Sequence, residues 1–454
     1  MHVTGNLRRL VLGLTCSLAI TSSEAHTLTD ASPNLVEDTP IVIDGNPNGV
    51  VRYRNGIVFV AVTARAPSAA ATAGSAAQIE IFRRTNGAFQ RTGTVLLKAG
   101  DTVNGLTITP DRTTLVASLE SSGVALIDID EALHGTSKTA FVDQSNGGKI
   151  ARPGTFQTTV TPDGHYAFVA NEYGQLSADY PAGNVGVIAL QRNARGLLEG
   201  TPLGFIPLAG GTIPGVSVSR DGRRAYAVSE IVPAANLRQL SGTSNTRLTS
   251  DQCVQNDPAQ PTHNGELSVI DVHKAIEAAR VANGTSKIIQ GAVITSIAAA
   301  CSPVRVLESP DGASLWVTAR GSDALLQFDT GRLVYDPDGA LLQVVNSNGL
   351  QPVAEAMFDN GRFLMVTNSA RFADTSMGAN TARIAGTNVS LFDISRPVAT
   401  LVQTLPTGSF PRDIAVSPRG RTAFVTNYQS SSVTVLSRGA PSNGKANTVS
   451  PFGS

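Results

Sequence analysis

Charge is scarce in this chain of 454 residues: Asp, Glu, Lys and Arg make up 15%, and the 35 acidic and 35 basic side chains cancel. Without a basic excess there is no field to hold a phosphate backbone, so a nucleic-acid partner is not expected. Several catalytic and cofactor signatures are also missing. No His or Cys spacing suits a metal, no glycine loop suits a phosphate, and there is no Gly-x-Ser-x-Gly elbow or His-Glu-x-x-His. No cofactor and no metal are therefore expected. After residue 25 no stretch reaches 18 uninterrupted apolar residues, so no membrane span is expected either.

What is present begins with an export signature. Arg8 and Arg9 precede an apolar run from Leu10 to Ile20, and Ser23-Glu24-Ala25 fits the small-x-small cleavage rule. Residues 1–25 thus read as a signal peptide, which places the mature chain outside the cytosol, secreted or periplasmic, and carries Cys16 away. The remaining pair, Cys253 and Cys301, is expected to form a disulfide in that oxidising compartment. Asn283 and Asn388 head N-x-S/T tripeptides, which matter only if the source glycosylates proteins.

The remainder is repetitive. Gly (43) and Pro (24) are plentiful, and one pattern returns: a short apolar strand, a Pro-Asp-Gly-like turn, a second strand ending in a small polar residue or Asn, a loop, and a third strand ending near Asp. Clear copies start at Phe156, Pro214 and Ser302, and fainter ones at Val50, Asn104 and Gln351. The stretch "PRGRTAFVTNYQSSSVTVLS" at residues 418–437 is the seventh. The turns centre on Asn55, Asp111, Asp163, Asp221, Asp311, Asn360 and Arg419. Asp and Asn tolerate a tight reversal and Gly supplies positive φ, while Phe424, Val425 and Thr426 suit a buried pleated surface. Phe-Val-Thr-Asn is therefore building material.

A four-stranded sheet cannot bury both faces alone, so seven of them must stack around an axis. The recurring "PDG…(F/Y/W)V(T/A)N…VxVID" resembles the YVTN-type seven-bladed β-propellers, a group that includes propeller lactonases and carboxymuconate-cyclising enzymes. The resemblance covers about Thr39 to Arg438 and implies an all-β fold, a single seven-bladed propeller of four-stranded blades at 39–438. Residues 26–38 are expected as a linker and 439–454 as a disordered tail. The last copy ends with its third strand. Its missing fourth strand is expected from "TPIVIDG" at 39–45, closing the ring.

Insertions indicate which face is elaborated. After the second strand, four blades carry long connections, about Arg65 to Ala77, Glu172 to Gly183, Glu230 to Gly265 and Ser369 to Thr387, all on one rim. The opposite rim receives a short helix in "HKAIEAARVANGTSK" from His273 and its relative "DEALHGTSK" from Asp130. Polar groups expected at the axial opening are Gln157, Arg305, Glu355 and Arg412 from the starts of first strands. The ends of second strands add Glu172, Glu230, Arg320 and Arg371. This mixed set suits a carboxylate or hydroxyl-rich ligand, or it pairs within itself around the ring. Of the histidines, only His263 falls on that rim.

Two functions follow. One is a secreted recognition module, expected as a monomer, that binds a protein, glycan or small molecule on the long-loop rim. The other, implied by the resemblance, is a lactonase or muconate-cyclase-like enzyme in which Arg412 steadies an oxyanion and Glu172 or His263 moves a proton. A quinone-linked dehydrogenase subunit is a third possibility, resting on fold analogy alone.

Overall fold

The computed structural model describes residues 33–63, 76–249, 253, 263–281, 287–370, 387–417 and 420–439. Contacts group Asn34–Ser454 into one unit, apart from Met1–Pro33. The signal-peptide segment lies outside the described residues, as do Asn283, Arg371, Arg419 and the tail beyond 439.

Seven antiparallel sheets are present, one per repeat. Their first strands are Asn46–Arg52, Val103–Ile108, Thr155–Val160, Gly215–Val218, Pro303–Glu308, Pro352–Phe358 and Pro411–Val416, in blades one to seven. Each first strand touches the next, and the seventh touches the first, so these strands line the axis of a closed seven-bladed β-propeller. Second strands lie one step out and are covered on both faces by neighbouring blades. That explains why Thr114–Leu119 and Phe363–Asn368 are buried along their whole length and read as nearly continuous apolar runs. Fourth strands meet solvent, as the mostly exposed Ala88–Ala99 shows.

The core sits between blades. Phe424 packs with Val58, Val60 and Phe82 of blade one, whereas Val425 faces Phe363 and Met365 of blade six. Burying each such side chain contributes roughly 1.5–3 kcal/mol.

The polar half of the motif fastens neighbours together. Thr426 Oγ1 donates to the Asn48 carbonyl of blade one at 2.7 Å, and Thr318 Oγ1 donates to the Val353 carbonyl of blade six at 3.0 Å. Asn427 Nδ2 holds the Thr434 hydroxyl at 2.9 Å, and Asn368 Nδ2 reaches Ser347, Asn388 and Ser390. Asn388 is thereby a structural amide.

The turns repeat one device. Asp163 Oδ1 accepts from the Thr161 hydroxyl at 2.5 Å and the His165 N–H at 3.0 Å, and Asp111, Asp221 and Asp311 repeat it with Thr109, Ser219 and Ser309. The following glycines, Gly164, Gly222 and Gly312, have φ of 76°, 72° and 71°.

The ring closes through the N-terminal segment. Ile41–Val42 pairs with Val433 and Ser432 on the outer edge of the last blade, within the expected 39–45 strand. Pairing also starts earlier, because Leu35–Glu37 lies against Leu436–Arg438. Leu35, 1% exposed, fills the core between blades six and seven. The two short helices stand in equivalent connections between third and fourth strands, Ile129–Leu133 and Val272–Val281. Cys253 and Cys301 are at disulfide distance, with Cα atoms 5.2 Å apart, and tie the longest loop to the end of its own blade. No helix among the described residues is long and apolar enough to cross a membrane.

Candidate functional site at the axial mouth

Six of the seven first strands begin with a register shift, between Pro47/Val50, Val103/Gly105, Thr155/Gln157, Pro303/Arg305, Pro352/Glu355 and Pro411/Ile414. A bulge re-aims the side chain it carries. Each of these strand starts carries a polar side chain at or beside the shift, and those of blades three, five, six and seven line the axial channel. Most of these groups fasten the next blade. Asn48 Nδ2 donates to the Val103 carbonyl at 3.0 Å and Asn104 Nδ2 to the Thr155 carbonyl at 3.1 Å. Gln157 Oε1 accepts from the Val216 N–H at 3.1 Å, and Asp413 Oδ2 from the Val50 N–H at 2.9 Å. Arg305 reaches the other way, donating from Nη1 to the Pro214 carbonyl at 2.8 Å and the Val304 carbonyl at 3.1 Å.

Glu355 breaks the pattern. The residue lines the channel cavity, yet both carboxyl oxygens are buried and have no hydrogen-bond partner among the described residues. Burial pushes its pKa well above the ordinary carboxylate value, and the charge of Arg305 only partly opposes this. Asp413 is raised as well, by burial first, against the Val50 N–H and Arg305. The Arg305 guanidinium is lowered by burial and supported by Asp413, Glu172, Glu230 and Glu355 in that order. These groups line a cavity of about 160 Å³ together with Gln157, Thr107, Thr159 and Ser217.

An aromatic collar joins the two arginines. Arg305 lies 4.9 Å from the Phe156 ring centroid. Arg412 lies 5.5 Å from the same ring, 5.3 Å from Phe410 and 5.4 Å from Tyr428. Glu230, nearly buried, forms an ion pair with Arg320 at 3.0 Å. Tyr173 is pushed up to about 12 by burial and then by Glu172, while Arg152 covers its ring at 5.3 Å.

Gln157, Arg305 and Glu355 thus share the channel, and Arg412, Glu172, Glu230 and Arg320 attach to it through a shared ring, charge or ion pairing. Arg371 lies outside the described residues. His263 stands apart: its backbone is bonded to Ser302, and it is not among the channel-lining residues. Sequence reasoning missed Asp413 and Phe156. The available signal was "PRDIAV", where two adjacent charges in a buried strand are incompatible with simple alternation. Among the described residues no three His, Cys, Asp or Glu side chains are grouped to hold a metal.

No protein-family model matches the chain, and no curated protein matches it. Solved structures do, in 1120 chains, so the likeness is too widespread to single out a function. One is a chain of the Kuenenia stuttgartiensis hydrazine synthase, 16% identical, covering 87% of this chain and 96% of that one with a TM-score of 0.56. Another belongs to a mitotic checkpoint complex, 13% identical, covering 95% and 99% with a TM-score of 0.53. Both likenesses show the propeller fold alone.

Proposed function

We propose that the chain is an exported recognition module of the YVTN-propeller type, whose axial mouth on the long-loop rim binds the polar head of a glycan, small molecule or protein. Glu355 carries this reading. Leaving a buried carboxyl unpartnered costs several kcal/mol, whereas the other buried carboxyl of the mouth, Asp413, accepts from the Val50 and Ile414 N–H groups at 2.9 Å each. Arg305 acts on Glu355 by charge without ion-pair contact among the described residues, and both line the same cavity, where a ligand hydroxyl or carboxyl would meet them together. At roughly 30 Å³ per water, the cavity has room for about five waters, hence a head group of a few heavy atoms.

The same pair favours a second reading. A carboxyl kept neutral by burial beside a guanidinium is a proton donor next to an oxyanion stabiliser, which suits lactone chemistry. In that case Glu355 and Arg305 take the roles assigned to Glu172, His263 and Arg412.

A thermal-shift panel of sugars, uronic acids and organic acids tests binding, because a ligand of the native state raises the melting temperature. Stabilisation should disappear in Glu355→Gln and weaken in Arg412→Ala. If no compound stabilises the protein, or the Gln variant responds equally, the mouth is not the site. Turnover of aldonolactones or muconolactones that is lost in Glu355→Gln would select the enzyme reading.

A further inference from the structure

A second cavity, of about 470 Å³, opens on the opposite face among the turns of blades one, two and seven. Its described lining holds five arginines, Arg52, Arg54, Arg84, Arg112 and Arg421, together with Phe89, and no carboxylate. In a chain that is 15% charged and neutral overall, such a one-sign cluster needs a reason. Pairing within the protein accounts for only part of it. Arg84 reaches Asp38 at 3.2 Å and lies 5.7 Å from the Phe89 ring centroid, Phe89 packs edge-on against Phe424 at 5.2 Å, and Arg54 and Arg112 lie 5.1 and 5.6 Å from the Tyr53 ring centroid. Arg52 and Arg421 have no acidic partner among the described residues, and Arg52 is lowered by burial and then by the like charge of Arg112.

Arg112 supplies an independent observation. It occupies the turn position that Gly164, Gly222 and Gly312 hold in other blades and has φ of 63°. A side chain in the left-handed region costs about 1–2 kcal/mol, a strain that persists at functional positions. The strained residue is the one that delivers a guanidinium to the cavity.

We infer that this cavity binds a small phosphate or sulfate ester, with its anionic oxygens on the guanidinium forks of Arg52, Arg112 and Arg421 and its carbon body against Phe89. Planar forks match both anions bidentately, and the volume lies within the range of small-ligand sites.

The test is calorimetric titration of the mature protein with glucose 6-phosphate and, separately, glucose 6-sulfate, with glucose as control. Saturable one-to-one binding of either ester is expected, and the arm that responds identifies the anion. Arg112→Gly should weaken binding at least tenfold while the melting temperature holds or rises, because glycine relaxes the turn. Arg52→Gln should weaken binding too, whereas Arg223→Gln, at an exposed turn elsewhere, should not. The inference is overturned if neither ester binds saturably, if glucose binds as well as its esters, or if Arg112→Gly and Arg52→Gln bind like the parent.

Discussion

Replacing Glu355 by Gln should flatten the pH dependence of stability, and the size of the effect follows from where its carboxyl sits. The oxygens are buried without partners, and burial holds the folded-state pKa well above the unfolded one. Below the ordinary carboxylate value both states carry the proton and nothing changes. As pH rises past it, the unfolded chain releases its proton while the folded chain keeps it, so stability falls by up to about 1.4 kcal/mol per pH unit until the folded value is reached. With an unfolding entropy of ~2.1 cal/mol/K per residue, a propeller of roughly 400 residues changes its Tm by just under 2 °C for each such unit. Gln, a close isostere, has no proton to keep. Glu266, also buried and raised, and Asp413 contribute equally to both proteins and cancel in the difference. Differential scanning calorimetry from pH 4.5 to 8 should therefore show the parent losing ground to Glu355→Gln steadily and then levelling. Parallel profiles would mean that Glu355 is ionised throughout, and the argument from an unpartnered neutral carboxyl would fall.

Three further outcomes are expected. Thr426→Val removes the hydroxyl that bonds Asn48 across the ring seam and leaves that buried carbonyl short of a donor; urea titration should show a loss of about 1–3 kcal/mol. Reducing the Cys253–Cys301 bridge, whose partners are 48 residues apart, should lower stability by ~2–4 kcal/mol, read as a thiol-dependent Tm. At Asp111, burial alone would raise the pKa, but bonds from Thr109, Arg192 and Thr113 outweigh it and set the value at about 2. Its contribution is therefore present above the unfolded value near pH 4 and is lost as pH falls toward 2. Because the side chain is half exposed, solvent screening keeps the gap between parent and Asp111→Ala to about 1 kcal/mol or less. That gap should close on acidification, as followed by circular dichroism.

Much of the architecture was legible in the residues because its determinants are local. Asp-Gly turns carry their own hydrogen-bond logic, and strands sandwiched between sheets must be apolar on both sides, so the copies could be counted without coordinates. The closing segment at Ile41–Val42 was legible as a missing fourth strand, although the pairing of Leu35–Glu37 was not, since "LVE" is too short to stand out. At the mouth, Gln157, Arg305 and Glu355 were legible from their place at strand starts. At the seventh strand the residues pointed to Arg412, while the bulge at Pro411/Ile414 brings its neighbour Asp413 into the channel lining as well.

By itself, then, the amino-acid order determined seven repeating units with their strands and turns, since each depends on neighbours along the chain. Only the tertiary structure decided which axial groups are satisfied and which are not. Whether Glu355 finds a donor, or five arginines from three blades find an acid, depends on residues tens to hundreds of positions apart in sequence that meet only when the ring closes.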